Sequence, residues 1–302
     1  MVKRWRRCSA DYDSARRPTF ELPAVGGKDS GRLTADLVFF AADNTSGAEK
    51  LVPLADAAGN WGPSRMRGMA VSGALARAAE RAIARPDMRP VRWTLDLYRP
   101  AALAPCNTRS RVVRSGRRLC LIESELLQND SPVARSTALF LRPDHRTPAG
   151  RTWIPSHDLA PPPTELAPTG REPRLYYSEG IGWTSSGAEH QTAARKQVWI
   201  LPVTVVEGEQ SSPFVHAASA ADVASMVSNW GNSGMEFINA DVTLTLSRPP
   251  VSTEIGFSAM DRTEADGISV GTSAVFDRAG VLGTALVCAV INGGTKVDPR
   301  VR

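Results

Sequence analysis

The sequence contains few of the residues that build metal sites, disulfide frameworks and membrane spans. Its 302 residues include 4 cysteines and 4 histidines. Cys8, Cys106, Cys120 and Cys288 show no CxxC spacing and do not cluster with histidine, so we expect reduced thiols, no metal site and no cofactor. The longest apolar runs, such as residues 282–291, are strand-sized and well short of the ~18 residues of a membrane span.

Several common catalytic signatures are also missing. The sequence has no GxSxG elbow and no GxxxxGK[ST] loop, which disfavours a serine hydrolase of the α/β type and a P-loop enzyme. Gly180 and Gly182 form a fragment of a GxGxxG pattern, but a predicted strand and not a helix follows them. A turn is the better interpretation of these glycines.

The net charge is positive, but the basic residues do not cluster into one face. The formal net charge is +5, and only the run KRWRR near the start is continuously basic, so no nucleic-acid partner is expected. This run is followed by acidic and polar residues where a secretory signal would have its apolar segment. We therefore expect a cytoplasmic protein whose residues 1–30 form a flexible basic arm.

An internal repeat organises the chain. The segment TLDLYRP at residues 94–100 recurs as TLTLSRP at residues 243–249, 149 residues later, with five of seven positions identical. The same offset places the turn at residues 130–134 on the turn at residues 279–283. A register held over about forty residues indicates a duplicated unit.

Each copy has a helix followed by antiparallel strands. Apolar residues at helical spacing predict helices over residues 65–84 and from 212 or 213 to 227. Further strands are expected ahead of each helix, at residues 32–40, 183–189 and 196–206. The strands after the helices are predicted at residues 91–98, 108–114, 119–127 and 133–142, and then at 239–247, 254–262, 268–277 and 281–291. This order predicts an α+β fold and not βαβ winding.

The repeat also sets the expected domain organisation, in which two copies share one core. The predicted parts are an arm at residues 1–30, a unit at 31–142, a Pro-rich linker at 143–175, a unit at 176–292 and a tail at 293–302.

Two helix starts and one strand contain candidate site residues. Residues 59–68 place glycines at the start of the first helix, where free N–H groups hold a carbonyl oxygen or phosphate, although capping explains them equally well. Asp222 lies in a run of small apolar residues; it is either a site acid or a solvent-facing side chain. Strand alternation places Asn239, Asp241 and Thr243 on one polar face, and a solvated sheet face is the alternative.

These residues resemble a known family. The segments WGPSRMRGMAVSGALARAAERA, VRWTLDLYRPA, HAASAADVAS, FINADVTLTLSRPP and DRAGVLGTALV are similar to the TesB-like double-hotdog acyl-CoA thioesterases, over roughly residues 31–292. The resemblance implies a tandem hotdog fold, in which each unit wraps a curved antiparallel sheet around a long helix. It also implies an acyl-CoA substrate and a homo-oligomer formed through the hotdog sheets.

The resemblance further implies a water held by three side chains. The family's Asp matches Asp222, and its strand Thr matches Asn239. The family's Gln falls at Val287 or Cys288, and neither side chain can replace an amide. Backbone N–H groups around Arg67 and Gly68 are the implied oxyanion or CoA contact. The implied reaction is direct addition of water to a fatty acyl-CoA thioester, which yields free acid and CoA.

The sequence is also compatible with other functions. Because the Gln is missing, a degenerate double hotdog that binds acyl thioesters without hydrolysis is the main alternative. An interaction module that uses the basic arm is a third possibility. A hydratase-type hotdog is disfavoured because no His lies in register with either helix start.

Overall fold

The computed structural model describes residues 37–45, 47–144, 146, 150, 152–153, 159–168, 172–293 and 297. The predicted arm at residues 1–30, much of the predicted linker and most of the predicted tail lie outside the described residues. The first half of the chain is defined as residues 37–144 and the second half as residues 172–293.

The first half contains one long helix and eight strands. These are β1 Val38–Asp43, β2 Lys50–Pro53, β3 Ala58–Gly59, β4 Gly62–Met66, α1 Gly68–Ala82, β5 Arg89–Leu97, β6 Asn107–Ser115, β7 Leu119–Gln128 and β8 Ser131–Leu141. A short 3-10 helix at Ala55–Ala57 precedes β3.

The second half contains two consecutive short helices and eleven strands. These are β9 Arg174–Ser178, β10 Gly182–Thr184, β11 Lys196–Ile200, β12 Thr204–Val206, α2 Pro213–Ala220, α3 Val223–Asn229, β13 Trp230–Gly231, β14 Gly234–Met235, β15 Phe237–Asn239, β16 Asp241–Leu246, β17 Ile255–Ala265, β18 Ile268–Asp277 and β19 Gly280–Ile291. A 3-10 helix at Gly187–His190 follows β10. Strand β9 begins within the predicted linker.

The halves join through the two strands that carry the repeated sequence. β5 pairs with β16 in antiparallel register, and Thr94 is directly opposite Thr243. From this seam the sheet continues through β8, β7 and β6 on one side and through β19, β18 and β17 on the other. Equivalent residues of the repeat therefore face each other across an approximate twofold axis.

A second pairing repeats at the same offset. Leu51 forms a bridge with Cys106 in the first half, and Ile200 pairs with Ile255 in the second. Each partner of the second pair lies 149 residues after its counterpart in the first. The duplication therefore extends from the central strands to the strands ahead of each helix.

The helices of the two halves pack against each other inside one core. A single cluster of buried apolar side chains includes residues of both halves. Ser72 of α1 donates a hydrogen bond of 2.6 Å to the Ala218 carbonyl, and Ser219 of α2 donates one of 2.7 Å to the Met69 carbonyl. Since these hydroxyls are fully buried, the reciprocal bonds satisfy them and fix how the helices contact.

The helix limits differ from those predicted. The predicted helix over residues 65–84 begins only at Gly68, because residues 62–66 form β4 and pair with β3. The second predicted helix begins where expected, with Ser212 accepting the Val215 N–H as its cap, but it is interrupted before Val223. No helix of the described residues has the length and apolar character that a membrane crossing needs.

Candidate active site

A cavity of about 410 Å³ opens between the two halves. The first half contributes the start of α1, the β3–β4 hairpin and the end of β5. The second half contributes the break between α2 and α3, strand β15 and the first residue of β9. Asp222, Asn239, Arg67 and Gly68, all candidates from the sequence, line this cavity.

Asp222 lies at the interruption of the second helix. The Ala224 and Ser225 N–H groups donate to the carbonyls three residues earlier, those of Ala221 and Asp222, so the helix tightens locally into a 3-10 turn. The prediction of one continuous helix to residue 227 was therefore wrong. The interruption separates α2 from α3 at the residue whose carboxylate lines the cavity.

The carboxylate of Asp222 rests on the start of the other half's helix. A Cβ atom added at Gly68 would overlap the Asp222 carboxyl group, so only glycine leaves room for it. The Met69 backbone N–H faces this carboxylate and acts to lower its pKa. The free N–H groups and positive dipole end of α1 thus face an anion that the second half supplies.

Asn239 holds the same carboxylate from the sheet side. Its Nδ2 atom donates to Asp222 Oδ1 at 3.1 Å and lies 3.4 Å from the Asp241 carbonyl. Asn239 pairs with Ala289, whereas Thr243 pairs with Leu286. One extra residue therefore bulges between β15 and β16.

The bulge corrects the predicted strand face. Strict alternation along the strand predicted that Asn239 lies on the polar face with Asp241 and Thr243. The extra residue resets the alternation, so Asn239 points to the helix side while the Asp241 carboxylate accepts the Cys288 N–H at 2.7 Å. The site residue therefore faces the cavity, and the solvated-face interpretation does not apply to Asn239.

Burial raises the pKa of Asp222 above its ordinary value. The hydrogen bond from Asn239, the positive charges of Arg174 and Arg67, and the Met69 N–H act in the opposite direction. Desolvation makes the carboxylate a stronger proton acceptor, and its partners favour the ionised form. This combination suits a general base.

Two arginines and a glutamate form a cluster beside Asp222. Arg67 caps α1, donates to the Ala58 carbonyl at 3.0 Å and pairs with Glu172 at 3.2 Å. Arg174, the first residue of β9, approaches the same Glu172 carboxylate at 3.5 Å. Arg174 was not predicted from the sequence, because a single arginine at the end of a Pro-rich segment carries no periodic or motif signal.

The last strand contributes no amide at the predicted glutamine position. Val287 is fully buried among apolar side chains, and neither it nor Cys288 lines the cavity. Ala289, opposite Asn239, is also apolar and buried. Asn292 lines the cavity just after β19, but the amide that contacts Asp222 is that of Asn239.

The first half lacks an equivalent acid. The position 149 residues before Asp222 is Gly73, whose Cβ would lie 2.8 Å from Val205 and 3.1 Å from the Ser219 hydroxyl. Helix packing explains this glycine. Among the described residues, no group of three or more His, Cys, Asp and Glu side chains is placed to hold a metal ion.

The architecture defines the class of protein. Two copies of a helix and a curved antiparallel sheet, joined at their central strands, form a tandem hotdog fold, which confirms the predicted α+β fold class. Solved structures with this fold align over most of the chain. One is a protein of unknown function with a hot dog fold from Alicyclobacillus acidocaldarius, which has 16% identity and a TM-score of 0.60 and covers 84% of this chain and 97% of that chain.

Two mycobacterial structures are similar to the same extent. The tesB protein of Mycobacterium avium subsp. paratuberculosis has 16% identity and a TM-score of 0.59, and the match covers 83% of this chain and 95% of that chain. The acyl-CoA thioesterase II TesB2 of Mycobacterium marinum has 15% identity and a TM-score of 0.57, with 76% and 90% covered. A search of curated protein sequences found no match.

Family models identify the family. The model of the acyl-CoA thioesterase N-terminal domain matches residues 57–141, and the model of the C-terminal domain matches residues 143–286. The chain belongs to the acyl-CoA thioesterase family, whose activity is hydrolysis of acyl-CoA thioesters, and the TesB-like resemblance is confirmed.

Proposed function

We propose that this thioesterase hydrolyses acyl-CoA with a water molecule held by Asp222 and Asn239. The single observation that carries this proposal is the hydrogen bond of 3.1 Å between the two side chains on the cavity wall. A base must be fixed within hydrogen-bond reach of the proton it takes. Asn239 fixes one oxygen of the carboxylate and leaves the group open to the cavity.

The reaction needs no covalent intermediate. The Asp222 carboxylate takes a proton from the water while the water oxygen adds to the thioester carbonyl carbon. The tetrahedral intermediate then collapses, the carbon–sulfur bond breaks, and the CoA thiolate receives the proton from Asp222. The products are the free acid and CoA, and the carboxylate is restored for the next cycle.

The start of α1 suits the developing oxyanion. In its first turn the Met69 N–H is directed to Asp222, and Gly68 lines the cavity beside it. We assign the Gly68 N–H to the thioester oxygen, since backbone donors at a helix start stabilise such charge. Arg67 supports this position from within the wall, where its side chain is only 10% exposed.

The cavity also offers separate surfaces for the acyl chain and the nucleotide. Its walls include the apolar side chains of Leu97, Met226 and Ile238, which suit an acyl chain. Arg65 and Arg99 line the cavity and are exposed. We assign these two arginines to the CoA phosphates, because exposed guanidinium groups pair well with phosphate.

The non-hydrolytic alternative is weaker. It rests on the missing glutamine alone, whereas the base and its amide partner are in contact and both family models describe acyl-CoA thioesterases. A cytoplasmic location and a homo-oligomer formed through the sheets stay predictions.

The deciding experiment follows thiol release from acyl-CoAs of short to long chain length. Wild-type protein is expected to turn over part of this series. Asp222→Asn keeps the size and the Met69 contact but cannot accept a proton, and we expect a loss of about 10²- to 10⁴-fold in kcat. Full activity in this variant, or no turnover of any acyl-CoA by the wild type, would contradict the proposal.

A further inference from the structure

The side chain of Arg174 is unusually placed for a buried cation. It lines the active-site cavity and is only 13% exposed. Its Nη2 atom lies 3.5 Å from the sulfur of Met69, and its Nη1 atom lies 3.8 Å from the sulfur of Met226. Thioether sulfur is a weak acceptor, so these contacts pack the guanidinium without satisfying it.

The remaining donors of Arg174 are also poorly satisfied. Its Nε atom is buried and has no hydrogen-bond partner among the described residues. Among those residues Arg174 has one ion-pair partner, Glu172 at 3.5 Å, and that carboxylate also accepts two closer bonds from Arg67, at 3.2 and 3.3 Å. A desolvated guanidinium with unused N–H groups is costly to bury, and it can donate to a group that enters the cavity.

The position of Arg174 relative to Asp222 indicates which substrate group it contacts. Arg174 is close enough to influence the charge of Asp222 electrostatically, yet its ion pair is with Glu172. A water held by the base attacks a carbonyl carbon about 3 Å away, so the carbonyl oxygen lies roughly 5 Å from the carboxylate. A cation near the base but not bonded to it is suitably placed for that oxygen.

We infer that Arg174 is a catalytic residue that donates to the thioester oxygen as it becomes an oxyanion, together with the Gly68 N–H. This inference rests on the proposed function. The guanidinium acts only as a hydrogen-bond donor and transfers no proton. It stabilises the negative charge that forms when water adds and that disappears when the carbon–sulfur bond breaks. The site thereby gains a polar group from β9, where the last strand supplies no amide.

The test compares Arg174→Met with Arg174→Lys in acyl-CoA hydrolysis. Methionine fits between the two thioethers but removes the charge, and we expect kcat to fall about 10²- to 10³-fold with KM changed only a few-fold. Lysine keeps the charge without the planar fork and should recover part of the loss. Arg278→Met is the matched control, since Arg278 pairs with Glu254 and stacks on Trp199 outside the cavity.

A second readout separates catalysis from a structural role. Loss of the positive charge should move the acid side of the pH–rate profile to higher pH in Arg174→Met, while Arg174→Lys keeps it near the wild-type position. A protein that only lost packing would not show this difference. If Arg174→Met fails to fold, Arg174→Lys alone decides, because wild-type kcat in that folded variant would overturn the guanidinium's role.

Other outcomes also overturn the inference. One is an unchanged kcat in Arg174→Met, and another is an effect on KM alone. A third is a loss of activity only with acyl groups that carry a carboxylate, because Arg174 would then bind that carboxylate and not the thioester oxygen. Asp222→Asn separates a failure of the role inferred for Arg174 from a failure of the proposed function. If Asp222→Asn is inactive and Arg174→Met is fully active, only the role inferred for Arg174 is contradicted. If Asp222→Asn is active, the proposed mechanism itself is contradicted.

Discussion

The Asn239 amide donates a hydrogen bond of 3.1 Å to one oxygen of the Asp222 carboxylate, from a strand that bulges immediately after Asn239. The Asp222 carboxylate also lies against Gly68 at the start of α1. Its position is therefore determined by three separate segments: the break between α2 and α3, the start of α1 and strand β15. The candidate base is therefore fixed by the joining of the two halves and not by one motif.

Removal of the Asn239 amide should weaken catalysis without unfolding the protein. Hydrogen bonds to charged groups contribute about 1.5–3 kcal/mol, so Asn239→Ala is expected to lower kcat about 10- to 100-fold. Asn239→Thr introduces the residue that the family resemblance implies and should retain more activity than the alanine variant. Steady-state kinetics of both variants provide the measurement, and equal activity of Asn239→Ala and wild type would contradict the assignment.

A methyl group at Gly68 should displace the base. The added Cβ of Gly68→Ala would overlap the Asp222 carboxyl group, so we expect most of the activity to be lost while the fold is kept. Gly116→Ala is the control, because its Cβ would meet only the Leu119 carbonyl at an ordinary 3.5 Å. Kinetics and thermal melting of both variants are the measurements, and an active Gly68→Ala would show that the carboxylate does not need this position.

The pH dependence should report the raised pKa of Asp222. Only the ionised carboxylate can accept a proton from water, so kcat/KM falls as pH decreases through that pKa. Burial raises the pKa, and the midpoint of the acid side should therefore lie above the ordinary range of an aspartate. A pH–rate profile from mildly acidic to neutral pH measures it. A midpoint at or below the ordinary value would contradict the desolvation of this group.

Two serines at the helix contact should differ in their effect on stability. The Ser72 hydroxyl donates to the Ala218 carbonyl and accepts the Trp93 indole N–H at 3.0 Å, whereas the Ser219 hydroxyl makes one such bond. Loss of a partner by a buried polar group costs about 1–3 kcal/mol. We expect Ser72→Ala to reduce the free energy of unfolding more than Ser219→Ala, as measured by denaturant titration. The reverse order would contradict the role of the indole contact.

Much of the fold follows from local sequence signals. The period of two in the repeated segments predicted β5 and β16, and their 149-residue offset predicted the duplication that places Thr94 opposite Thr243. Strand alternation and helix periodicity are properties of neighbouring residues, so they can be recognised from one sequence. The Pro213 helix start was predictable for the same reason, since serine and proline at a helix start are local signals.

The features that position the site residues depend on contacts between segments that are distant in sequence. The bulge between β15 and β16 depends on pairing with β19, and the interruption at Asp222 occurs where the carboxylate meets the start of α1. Strict alternation therefore placed Asn239 on the wrong face, although the residue itself was identified through the family resemblance. Arg174 was missed because its importance arises from contacts with Met69 and Met226, which are distant in sequence.

Activation of water by Asp222 is tested most directly in a single-turnover reaction in H₂¹⁸O with excess enzyme. If Asp222 activates water, the free acid carries the ¹⁸O label, and the peptide that contains Asp222 carries none. If Asp222 instead attacks the thioester, hydrolysis of the resulting anhydride can place the label on its carboxylate. Mass spectrometry of the acid and of the proteolysed enzyme detects label in either place. Label in the acid alone is the predicted result, and label on Asp222 would contradict direct attack by water.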